Sequence, residues 1–219
     1  MASHLDLEEQ EQLDQLKAFW KQWGNLITWV ITICLASFAA WQGWNRWQSS
    51  QATKAESIYT VVQAAVQAGD LAKADAAVKD LQGLSGTSFA AQGVLLVAKL
   101  QFEQGKVDAA KASLNWVIQE GKLAEVRDIA RLRLSGVLLD EKKYDEAGKL
   151  LDAVATPEFA ALVADRRGDM LVLQDKGAEA RAQYEKAYAG MGKTVEYRQL
   201  IQAKLARLGV AVGGEEAAK

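Results

Sequence analysis

Between Lys21 and Arg46 the chain carries no charged side chain. The 24 residues Gln22 to Asn45 include Leu26, Ile27, Val30, Ile31, Ile33, Leu35 and Phe38. About 20 helical residues, each rising ~1.5 Å, cross a ~30 Å hydrocarbon layer. Tryptophans stand at both ends of the run, Trp20 and Trp23 about its start and Trp41, Trp44 and Trp47 about its end. An indole prefers the membrane–water boundary, so the two clusters mark two interfaces. The run therefore reads as a transmembrane helix over 22–45. A signal peptide would follow a short basic stretch, whereas more than 20 residues rich in acids precede this one, and only Ser37, Ala39 and Ala40 resemble a cleavage site. The polar residues inside the run (Asn25, Thr28, Thr32, Ser37 and Gln42) fit either a partner helix or back-bonding to their own helix.

Residues 1–21 are expected to form an amphipathic segment. Leu13, Leu16, Trp20 and Trp23 recur at spacings of three and four, which is one helical face. That face suits lipid or a partner, and equally a solvated extension of the span. Orientation does not follow from charge, because Lys17 and Lys21 on one side nearly balance Arg46 and Lys54 on the other.

Behind the span the composition is helical. The chain has 219 residues and one proline, and alanine and leucine are abundant. Four segments repeat a pattern of turn residue, alanine and apolar residue. They are Gly69-Asp70-Leu71 with Ala74 and Val78; Gly105-Lys106-Val107 with Ala110 and Leu114; Lys142-Lys143-Tyr144 with Ala147 and Leu151; and Asp175-Lys176-Gly177 with Ala180 and Tyr184. The alanines are 36, 37 and 33 residues apart. This is the period of a helix–turn–helix unit, in which two antiparallel helices approach closely only where a side chain is small. Val94, Leu95, Val97, Ala98 and Phe102 form one preceding apolar face, and Ile129, Leu132, Leu134 and Leu138 another. A lone hairpin cannot bury such faces, so neighbours stack. The expected fold is all-α: the transmembrane helix, then a helical-repeat solenoid of about four hairpins over 46–208. Residues Val195 to Leu208 form its capping helix, and residues 209–219 a flexible tail. Linkers fall at Gly83–Ser88, at Thr156-Pro157 and at Gly190–Lys193. No breaker separates the span from the first repeat.

Catalytic and metal chemistry find little to use. The one histidine is His4 and the one cysteine, Cys34, lies in the apolar run. No glycine-rich phosphate loop occurs, and Asp145-Glu146 suits a helix start better than an acid–base pair. A net charge of −2 carries no basic field for nucleic acid. The reading is of a non-enzymatic protein with no cofactor and no metal. Stacked hairpins offer a concave surface for a peptide or helix. The register of the repeats points to Lys99, Phe102, Leu132, Asp165 and Asp169 on that surface, against ordinary core or surface roles for each. Trp20, Trp23, Trp41, Trp44 and Trp47 are the membrane-interface anchors.

The repeats resemble tetratricopeptide (TPR) repeats in turn glycine, small residue and spacing, with aliphatic residues at most consensus aromatic positions. The whole layout resembles something narrower. Leu16-Lys17-Ala18-Phe19-Trp20-Lys21 precedes the span, Lys54-Ala55-Glu56-Ser57-Ile58-Tyr59 opens the repeats, and Arg131-Leu132-Arg133-Leu134 and Arg167-Gly168-Asp169-Met170-Leu171 follow. Together these are similar to the YfgM family of ancillary SecYEG translocon subunits. The resemblance implies a single-pass bacterial inner-membrane protein with a cytoplasmic N-terminus and a periplasmic TPR-like domain. It implies the SecYEG channel, the chaperone PpiD and exported polypeptides as partners, and a role in release or folding of exported chains. A scaffold or assembly factor for another envelope complex is the alternative.

Overall fold

The computed structural model describes residues 7–192 and 196–210. His4, the start of the capping helix at Val195 and the tail beyond Val210 lie outside the described residues. Two units are distinguished, Met1–Gln51 and Ala52–Lys219. Helix α1, Leu7–Gln67, contributes to both. No strand occurs among the described residues.

In the first unit α1 carries a stretch of mean hydropathy 1.6, long and apolar enough to cross a membrane. Its apolar side chains have no protein cover: Leu26, Trp29, Ile33, Leu35 and Phe38 are all more than half exposed. Such a continuous apolar surface is stable in lipid and not in water. Two of its polar groups are already satisfied. The Thr28 hydroxyl donates to the Gly24 carbonyl at 2.7 Å, and that of Thr32 to the Thr28 carbonyl at 2.8 Å. Of the two roles open to them, back-bonding is the one formed.

The second unit opens with the last turns of α1 and continues through α2 (Leu71–Gln82), α3 (Ser88–Glu103), α4 (Val107–Glu120), α5 (Ala124–Asp140) and α6 (Tyr144–Asp152). A 3-10 turn, Pro157–Phe159, leads into α7 (Ala160–Leu173), followed by α8 (Gly177–Gly190) and α9 (Tyr197–Arg207). These are four hairpins and a cap. The repeated alanines Ala74, Ala110, Ala147 and Ala180 are each the fourth residue of a hairpin's second helix, and each is 0% exposed. Helices meet over these alanines because nothing larger fits.

The four turns share one backbone design. Five residues before each alanine the chain is left-handed: φ is 69° at Gly69, 74° at Gly105, 61° at Lys142 and 60° at Asp175. The next residue's N–H returns to a carbonyl of the preceding helix, Asp70 to Ala65, Lys106 to Gln101, Lys143 to Leu138 and Lys176 to Leu171, at 2.7–2.9 Å. This pairing satisfies carbonyls that the helix end leaves open and turns the chain back sharply. Glycine suits the left-handed site, and only the first two turns have it.

One apolar core runs from Ala55 to Ala147, with Leu81, Val94, Val97 and Val117 fully enclosed. A second, smaller core joins α7, α8 and α9 through Ala164, Tyr184, Ala187, Ile201 and Leu205. The first helices of successive hairpins touch one another, α3 with α5 and α5 with α7, so they share one side of the stack. Between the third and fourth hairpins Asp128, 1% exposed, accepts hydrogen bonds from the Ala155 and Thr156 amides and the Thr156 hydroxyl. That carboxylate holds the junction where Pro157 starts the next turn.

Candidate partner-binding groove

A groove follows the shared side of the first helices, and helical periodicity builds it. Lys99 and Phe102 project from α3, Arg133, Gly136 and Asp140 from α5, and Arg166, Asp169 and Leu173 from α7. Within each helix these positions are three or four apart and so lie on one face. One segment, of about 500 Å³, has Ala98, Leu114 and Val137 at its base. The adjoining segment, of about 540 Å³, extends to Lys204 and Arg207 of α9. Gly136, Asp140 and Arg166 border both segments. Arg166 lies against Gly136, where an added Cβ would make ordinary van der Waals contact with the guanidinium, 3.6 Å from Cζ.

Lys99 and Phe102 share the first segment with Arg133 and Arg166, and Asp169 faces the second. Phe102 departs from the otherwise buried face of α3 and is 42% exposed. Leu132 and Asp165 turn inward, at 9% and 1% exposure. Leu132 borders a smaller depression with Phe159, Leu162 and Tyr197. Asp165 accepts from the Tyr197 hydroxyl at 2.8 Å and from Lys204 Nζ at 2.8 and 2.9 Å. Lys204 also donates to Asp169 Oδ1 at 2.7 Å, as does the Tyr184 hydroxyl at 2.8 Å. Burial, and then the neighbouring aspartates, raise the pKa of both tyrosines, so each hydroxyl keeps its proton and remains a donor. This network fastens α9 to α7 and α8.

Arg133, Arg166 and Lys204 escape the sequence reading. For the two arginines a signal was available: Arg133 and Arg166 are 33 residues apart, the same interval as Ala147 and Ala180, and so occupy equivalent repeat positions. The five tryptophans expected at the membrane interface, Trp20, Trp23, Trp41, Trp44 and Trp47, are all 45–63% exposed on the first unit. Among the described residues no cluster of His, Cys, Asp and Glu could hold a metal ion.

A long exposed apolar helix and stacked two-helix repeats define a membrane protein of the tetratricopeptide-repeat-like class. Residues 17–210 match the family model described as a tetratricopeptide repeat-like domain. A protein of Neisseria gonorrhoeae named ancillary SecYEG translocon subunit is 32% identical over 207 residues, covering 94% of this chain and 98% of the relative. Proteins of the same name from Haemophilus influenzae and Escherichia coli are 28% and 25% identical, each over 202 residues and 92% of this chain. The chain belongs to this family of ancillary translocon subunits.

Proposed function

We propose that this protein is a non-enzymatic, single-pass subunit accessory to the SecYEG translocon of a bacterial inner membrane. Its N-terminus is cytoplasmic and its repeat domain periplasmic. The groove binds protein, either the chaperone PpiD or an exported polypeptide, and so links the channel to periplasmic chaperones and assists release or folding. The observation that carries this reading is the extent of the similarity. The alignments cover 97–98% of each relative, so they take in the apolar helix as well as the repeats. A relative that shared only the repeats would support binding but not the anchored arrangement.

A photocrosslinking amino acid at Trp44 tests the span and one at Phe102 tests the groove. The expected products are translocon subunits from Trp44 and PpiD or exported chains from Phe102. Recovery of a different envelope complex at both positions favours the scaffold alternative and refutes the translocon role. A periplasm-dependent reporter fused after Lys219 should be active; an inactive one, with a cytoplasm-dependent reporter active, overturns the orientation.

A further inference from the structure

We infer that the groove takes an extended polypeptide segment in which one acidic side chain is flanked by apolar ones, its carboxylate held between Arg133 and Arg166. This rests on the reading of the domain as a protein-binding module and names the chemistry of what it binds.

The charge distribution points to an anionic group. The chain as a whole is at −2, yet five cationic side chains line the two groove segments against the carboxylates of Asp140 and Asp169. Three of the five are ion-paired within the protein: Lys204 to Asp165 and Asp169, Arg166 to Asp169, and Lys99 to Glu103 at 3.6 Å. Arg133 is not. It forms no ion pair among the described residues, and its hydrogen bond goes to the Leu95 carbonyl at 3.1 Å. Partial burial of its side chain lowers its pKa with no counter-charge to offset it, although the residue as a whole stays exposed and open to a ligand. Arg166 reaches Asp169 at 3.3 Å and shares that carboxylate with Lys204 and Tyr184. A guanidinium presents a planar fork matched to a carboxylate, and two of them border the same segment.

The surroundings decide what accompanies that carboxylate. Phe102, 42% exposed, lies in the first segment, and Val172 and Leu173, 41% and 49% exposed, lie in the second. Both segments border Arg166, so a ligand chain can cross the arginines with apolar contacts on either side. Asp140, on the border of both, repels a second acid next to the first.

The test uses the full chain in lipid nanodiscs at low salt and two short fluorescent peptides. They carry a central Leu-Glu-Leu or Leu-Gln-Leu in an otherwise identical Gly/Ser sequence, and binding is read by anisotropy. The glutamate peptide should bind about tenfold tighter, the scale of one charge-assisted pair. Arg133→Gln should abolish that preference, and Arg133→Lys, which keeps the charge without the fork, should leave part of it. Phe102→Ser should weaken both peptides alike. Equal affinity for the two peptides, no binding of either, or a preference that survives Arg133→Gln together with Arg166→Gln overturns the inference. If Arg133→Gln melts early, the Arg133→Lys result decides: an undiminished preference counts against it. Translocon crosslinks from Trp44 that persist while the glutamate preference is absent refute this inference alone. Loss of those crosslinks refutes the proposed function.

Discussion

The four left-handed turns form a natural substitution series. At Gly105, φ is 74° and a Cβ would meet no heavy atom within 4 Å. The cost of Gly105→Ala is therefore confined to the backbone. A left-handed alanine costs roughly 1–2 kcal/mol, and alanine's smaller freedom when unfolded returns about 0.4–1 kcal/mol. The expected net loss is about 1 kcal/mol, or a fall in Tm of roughly 2–4 °C for a domain of this size. At Lys142 the signs reverse. The lysine holds φ at 61° and its side chain is exposed, so Lys142→Gly relieves the strain and should stabilise by about 0.5–1 kcal/mol. Asp175→Gly should gain less, because aspartate tolerates the left-handed region better than lysine. Far-UV circular dichroism melts of the three variants in one detergent measure this ordering. A neutral Gly105→Ala, or a destabilising Lys142→Gly, would refute backbone strain as the term that separates the turns.

Three further outcomes follow from close packing and from buried charge. Gly168→Ala places a Cβ 2.4 Å from Tyr184 Cε1, and that ring is tethered by its hydroxyl to Asp169. Over-packing of roughly 1–3 kcal/mol should exceed the ~1 kcal/mol gained in helix propensity, so the melting temperature should fall. Asp128→Asn should cost about 2–3 kcal/mol in denaturant titrations at neutral pH, because the carboxylate accepts the Thr156 and Ala155 donors and pairs with Arg131. Burial alone would raise the Asp128 pKa, but the hydrogen bonds from Thr156, Arg131 and Ala155 prevail and lower it. Its contribution is therefore present above the unfolded value of about 3.9 and is lost as pH falls through the lower folded value, so wild type and Asp128→Asn should converge in strong acid. Lys204→Met removes the cation from buried Asp165 and should cost about 3 kcal/mol. Hydrogen exchange should show protection lost in α9 before α3 and α5; uniform loss would contradict a separate C-terminal core.

The hairpin stack was legible because one constraint recurs. A helix crossing that tolerates only a small side chain writes alanine into the sequence once per repeat, and Ala74, Ala110, Ala147 and Ala180 are all fully buried. The turns were legible for the same reason, although Lys142 and Asp175 occupy sites where glycine would be the clearer mark. The Asp128 junction was not legible. Its acceptor role depends on Ala155 and Thr156, 27 and 28 residues away, and no local spacing couples an aspartate in one helix to amides in a distant loop.

The groove shows how a one-residue difference on a helix separates core from surface. Successive residues differ by about 100° around the axis, so neighbours in sequence face different surroundings. Carrying the alanine intervals of 37 and 33 along the first helices makes Leu95, Leu132 and Asp165 equivalent, and all three are buried, at 7%, 9% and 1% exposure. The next position along, Arg133 in one unit and Arg166 in the following one, lines the groove. The aspartate at the third core position has a cause. Where Leu95 and Leu132 meet further hairpins, Asp165 meets the terminal helix, whose Lys204 and Tyr197 supply its partners. Capping the stack with a polar network uses a directional set of bonds that fits one helix in one register. The same Lys204 reaches Asp169 on the groove face, so the network that ends the stack also holds the carboxylate that Arg166 shares. Strength of the cap and charge in the groove are therefore linked, and a substitution at Lys204 should alter both.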